Sequence, residues 1–175
     1  MELPGQAYLF NLSLIAITFA AVSALVMLIR QSMGGGLTKY DIHLIASYIS
    51  YGFVLSLIAL LPPLISLFQL SPHTLWTVSS GFAVLIFGPV LASVIFRRAK
   101  ASPHAVPVVV KASFYLHGFA NILFLANAVI APWQGIQLYA AALTLSVATV
   151  MWTFARRIAS LFGDKLLEGF DPDRG

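Results

Sequence analysis

Apolar residues run along this chain in blocks of about twenty, and the stretches between and flanking them gather most of its glycines, prolines and charges. A helix rising 1.5 Å per residue needs about 20 residues to cross a hydrocarbon core of roughly 30 Å. The blocks near Ala7 to Ile29, Asp41 to Leu61, Pro72 to Phe96, Pro107 to Ile130 and Gly135 to Ala155 therefore predict five transmembrane helices. They lack the alternation of a barrel strand, and closed barrels are the only other way to satisfy backbone groups in lipid. The expected class is an all-α integral membrane bundle of five transmembrane helices over residues 1–160, followed by a short amphipathic or disordered tail at 161–175.

The connections carry their own signals. In GGGLTKYD, glycines end the first helix and Thr38, with Asp41 three residues on, approaches the capping-box pattern. In QLSPHT, Ser71 is the expected N-cap and Pro72 the first helical residue, where a missing N–H is harmless. Pro62 and Pro63 fall where about twenty residues of the second span have passed, so LISLFQL is expected to lie along the interface or re-enter shallowly. Pro89, well inside the third span, predicts a kink.

Composition agrees: 59% hydrophobic and 9% charged residues, with a mean hydropathy of +0.91, leave nothing for a soluble domain. Charge adds a direction. Arg30 and Lys39 follow the first span, Arg97, Arg98, Lys100 and Lys111 surround the third connection, and Arg156, Arg157, Lys165 and Arg174 follow the fifth. All ten basic residues thus fall on one side, which the positive-inside rule makes the cytoplasm. The expectation is an N-terminus outside, a C-terminus inside, and residence in a bacterial cytoplasmic (inner) membrane. Basic loops beside anionic headgroups account for the net charge of +4, so no nucleic-acid partner is expected. Trp76, Trp133 and Tyr139 are expected as aromatic anchors near the outer interface, and Tyr40 and Trp152 near the inner one. The start, MELPGQAY, has no basic residue ahead of its apolar run, so that run is expected to remain as a membrane helix.

Candidate chemistry is sparse. The chain has no cysteine, which excludes disulfides, thiolate metal sites and cysteine nucleophiles. GGGLTKY lacks the spacing of a phosphate loop, and FDPD is a pair of carboxylates in a solvated chain end. No span carries an acidic residue away from its ends, and no nucleophile and base pair up, so an enzyme is not expected and no cofactor is assigned.

The polar exceptions lie in the fourth and fifth spans. Ser113, His117 and Asn121 are four apart and at about 100° per residue share one helical face. His117 follows Pro107 by ten residues, about 15 Å, near mid-bilayer. Ser146 and Thr149 belong to a second stripe of small and hydroxyl residues, with Ala142 and Thr153, on the helix that returns after APWQG. A buried ring nitrogen needs a partner in hydrocarbon, so His117 is expected to reach the fifth helix or another polar side chain. A proton carrier, metal ligand or haem ligand is the sharper alternative, but no second histidine lies level with His117. His43, Ser47 and Ser50 form a lesser polar face near the cytoplasmic end of the second span, expected to snorkel and make helix contacts or, alternatively, to border a vestibule.

These features lead to the expectation of a non-catalytic membrane protein in the lipid bilayer, acting through helix–helix contacts as an accessory or assembly subunit with a membrane-protein partner or as a homo-oligomer. The rival is a small-solute or ion channel lined by the polar faces. A reporter fused to the C-terminus should be active only on the cytoplasmic side; activity confined to the outside reverses the topology.

Overall fold

The computed structural model describes residues 3, 5–32, 39–101, 108–130 and 135–168, with backbone alone at 39–41, 98–101, 157 and 160–168. The GGG turn with Thr38, and Trp133, lie outside the described residues, as does the side chain of Tyr40. The chain forms α1 (Gln6–Ser32), α2 (Lys39–Ser66), α3 (Pro72–Ala101), α4 (Val108–Val129) and α5 (Ile136–Glu168). All five are long and apolar enough to cross a membrane.

Each helix packs on its neighbour in sequence, α5 closes back on α1, and α2 meets α5 across the middle. Short connections make successive helices antiparallel. That arrangement brings Arg30, Arg97, Lys111 and Arg156 to one end among the described residues. Leu9, Leu55, Ile58, Phe87, Phe124 and Leu143 fill the interior, while Leu14, Leu25, Leu85, Tyr115 and Ile122 point outward, an apolar exterior suited to lipid.

Without a hydrophobic drive between helices in lipid, close backbone approach and hydrogen bonds hold the bundle. Gly52 of α2 lies against α1 so closely that a Cβ there would stand 2.7 Å from the Ala20 Cβ and 2.8 Å from the Ala16 carbonyl oxygen. One turn along, the Ser13 and Ser56 hydroxyls bond at 2.7 Å. Phe19, Tyr48 and Phe154 then meet edge to face, with centroids 5.0 to 6.2 Å apart, and join α1, α2 and α5.

The Ser71 cap forms as expected: Pro72 opens α3 and the Thr74 N–H donates to Ser71 Oγ at 3.2 Å. α2 departs from expectation. It continues through Pro62 and Pro63 to Ser66, and Leu67, Phe68 and Gln69 form the turn, with Gln69 left-handed at φ 54°. A proline lacks the N–H that would serve the carbonyl four residues back, so Pro62 frees the Ile58 carbonyl. The Tyr139 hydroxyl of α5 donates to that oxygen at 2.6 Å. At Pro62 a neighbouring helix supplies the missing donor.

Tyr139 is therefore core, 0% exposed, and Trp76 is buried against it at 5.6 Å. Both were expected as interface anchors. Depth along the chain was a poor guide because an aromatic ring near a helix end can turn inward when a polar group there requires it. Trp152, by contrast, is exposed, with the Arg156 guanidinium 5.8 Å from its ring centre.

A side chain at Gly52 must part α1 from α2, whereas Gly81 has nothing within 4 Å of where its Cβ would stand. Gly52→Val should cost about 1–3 kcal/mol through overpacking. Gly81→Val should leave the thermal midpoint in detergent nearly unchanged.

Candidate functional site

The seam between α3 and α4 holds two groups of buried polar residues. Near the α4–α5 turn, Asn127 is wholly buried. Its Nδ2 donates to Ser80 Oγ at 2.7 Å, and its Oδ1 accepts the Gly135 N–H at 2.9 Å. Gly135 immediately precedes α5, where backbone donors have no partner within the helix, so one amide ties α3, α4 and the start of α5 together. Thr77 Oγ1 and Ser79 Oγ are buried close by in sequence without a hydrogen-bond partner.

Further along α4, toward its N-terminus, come the residues singled out from the sequence. His117 is 4% exposed, and its Nδ1 lies 2.7 Å from the Ser113 carbonyl oxygen. A carbonyl oxygen only accepts, so Nδ1 carries the hydrogen and donates it. The ring lies between Tyr51 of α2 and Phe87 of α3, at centroid distances of 5.2 and 5.7 Å. His117 Nε2 is buried with no partner, and so is Asn121 Oδ1. The Asn121 Nδ2 sits opposite Gly88 of α3, 3.5 Å from where a Cβ would stand there.

The expected pairing of His117 with α5 or another polar side chain does not occur. Its ring faces α2 and α3, and its one bond stays within α4. Counting residues from the turn gives depth but not rotation about the helix axis, which packing decides. The second stripe is buried but self-sufficient: Ser146 donates to the Ala142 carbonyl and Thr149 to that of Leu145. Ser113 likewise donates to the Val110 carbonyl. Among the described residues no hydrogen bond joins the two stripes, because a helical serine or threonine can serve a carbonyl of its own preceding turn.

His43, Ser47 and Ser50 stay together on a different surface. His43 and Ser50 are exposed, and the two serines donate to the His43 and Ala46 carbonyls. This face looks out of the bundle, while Tyr48 and Tyr51 turn in.

Sequence reasoning missed Asn127, Ser80 and Tyr139. The buried positions of α4 recur at 113, 117, 120, 124 and 127, alternating four and three. Stepping only by fours follows 113, 117 and 121 and drifts off that face before reaching Asn127. For Tyr139 the signal was the Pro62–Pro63 pair, which demands a foreign donor.

Among the described residues no three His, Asp or Glu side chains converge as metal donors. The chemistry available is hydrogen bonding within and between helices. The fold is an all-α bundle whose described residues include five helices long and apolar enough to cross a membrane. Comparison with protein-family models, curated proteins and solved structures finds no match.

Asn127→Leu strands the Ser80 hydroxyl and the Gly135 N–H, an expected loss of about 1–3 kcal/mol. His117→Leu removes a hydrogen bond within its own helix and replaces the ring between Tyr51 and Phe87 with an apolar side chain, and should lower the thermal midpoint less. Tyr139→Phe leaves the Ile58 carbonyl without its donor and should cost about 1–2 kcal/mol. Thermal unfolding of the three variants in one detergent ranks them.

Proposed function

We propose that this chain is a non-catalytic integral membrane protein that acts through helix–helix contacts as an accessory or assembly subunit. It sits in the cytoplasmic membrane of a bacterium with its N-terminus outside. The gathering of Arg30, Arg97, Lys111 and Arg156 at one end supports that orientation.

The observation that carries the proposal is the closure of the α3–α4 seam. Between the Asn127 cluster and the His117 cluster stand Ala83, Phe87 and Phe124, each 0% exposed. A channel for ions or small polar solutes needs a continuous polar or hydrated path. Here the path is interrupted by packed apolar side chains, and Ser146, Thr149 and Thr153 of α5 are spent on carbonyls of their own helix. Polar residues used in this way fix the helices against one another.

The surfaces left for function are the outer helix faces. α4 presents Tyr115, Phe119, Ile122 and Leu125, between 50% and 78% exposed. α2 presents His43, Ser47 and Ser50 near the basic end. Such faces meet lipid, a second copy or another membrane protein.

Two measurements together test the proposal. A photo-crosslinking residue at Phe119 or Ser50, activated in native membranes, should give a discrete adduct with one protein chain. Purified protein in liposomes should pass ions and small solutes at the background rate. Adducts with lipid alone, or a flux abolished by His117→Leu in a protein that remains folded, would overturn it, the latter in favour of a channel.

A further inference from the structure

Four of the hydroxyl groups buried in this bundle satisfy themselves. Ser23, Ser113, Ser146 and Thr149 each donate to a carbonyl three or four residues back. Thr77 Oγ1 and Ser79 Oγ have no partner, but a hydroxyl can rotate toward an acceptor because it carries its own hydrogen. His117 Nε2 and Asn121 Oδ1 have no such recourse. The ring's hydrogen is committed at Nδ1 to the Ser113 carbonyl, so Nε2 presents a lone pair, and an amide oxygen is an acceptor only.

The two atoms lie one helical turn apart on α4, and both are buried without a donor. The Asn121 Nδ2 lies against Gly88 of α3, a residue with no side chain to donate a hydrogen, and the amide's Oδ1 is left without a donor. Phe87 and Tyr51 cover the His117 ring, and neither fills the missing role.

We propose that His117 Nε2 and Asn121 Oδ1 are the protein's half of a buried site for one water molecule, held between α3 and α4 inside the bilayer. The chemistry selects the ligand. Two acceptors call for two donated hydrogens, which water has. A cation would need a counter-charge, and α3 and α4 contain no acidic residue. An anion would meet two lone pairs. Buried water ordinarily serves otherwise unsatisfied polar groups in this way. The site is independent of the proposed assembly role, because a single trapped water on one side of Phe124 makes no path across the bundle.

The test is solid-state NMR on the full chain in lipid with nitrogen-15-labelled histidine. Magnetisation transferred from water should reach His117 Nε2, and its shift should be that of an unprotonated nitrogen accepting a hydrogen bond. In Asn121→Leu the water signal at Nε2 should be lost while the Nδ1 bond to Ser113 persists. Gly88→Leu, which pushes on the Asn121 amide from α3, should lose it too. Absence of water transfer to Nε2 in the unaltered protein overturns the proposal whatever the variants do. So does a direct coupling showing the Asn121 amide nitrogen donating to Nε2, since the amide would then have rotated to satisfy the ring without a guest.

Discussion

A backbone carbonyl that loses its helical donor inside hydrocarbon has no water to turn to, and this bundle is arranged around one such carbonyl. Pro62 removes the donor for Ile58 at a wholly buried position, and the Tyr139 hydroxyl replaces it from another helix. That bond draws α5 against α2. Trp76 and Phe124 pack on the Tyr139 ring from α3 and α4, so one hydroxyl meets the need of one helix while its ring collects contacts from two others. α1 joins separately, through Gly52 and the Ser13–Ser56 bond.

The same economy explains where polar residues are found. In lipid, a polar group stabilises the fold only when it is paired, and the cheapest pairing is local. Serines and threonines can therefore be scattered through the spans with little consequence for which helices meet. Asparagine and tyrosine cannot close their bonds so easily within one turn, and Asn127 and Tyr139 join helices here, as does the Ser13–Ser56 pair. Histidine lies between these cases: one nitrogen is served by its own helix and the other waits for a donor. The polar stripe of α4 is accordingly two clusters with different duties, one clamping the α4–α5 turn and one embedded among rings, parted by Phe87 and Phe124.

Apolar periods made the number of helices and their approximate limits readable from the chain, and the Ser71–Pro72 start was readable to the residue. Other signals were misread because they report depth, whereas function follows facing. Trp76 and Tyr139 stood at the depth of an aromatic belt yet turn inward. His117 stood at the depth of the α5 hydroxyl stripe yet faces α2 and α3. LISLFQL stood beyond two prolines yet begins as helix, and a donor more than seventy residues away serves the carbonyl that Pro62 frees.

By itself the sequence determined that the chain forms long apolar helices joined by short turns, because the bilayer allows so few ways to bury a backbone and run length selects among them. It also gathered the basic residues into alternate connections. Only the tertiary structure decided how each helix is rotated about its axis. A rotation of one residue's worth, about 100°, exchanges a lipid-facing side chain for a buried one at almost no change in hydropathy when every face of the helix is apolar. In such helices the choice rests on a few close contacts and hydrogen bonds, Gly52 on α1, Asn127 on Ser80 and Tyr139 on Ile58, and those exist only once the helices are side by side.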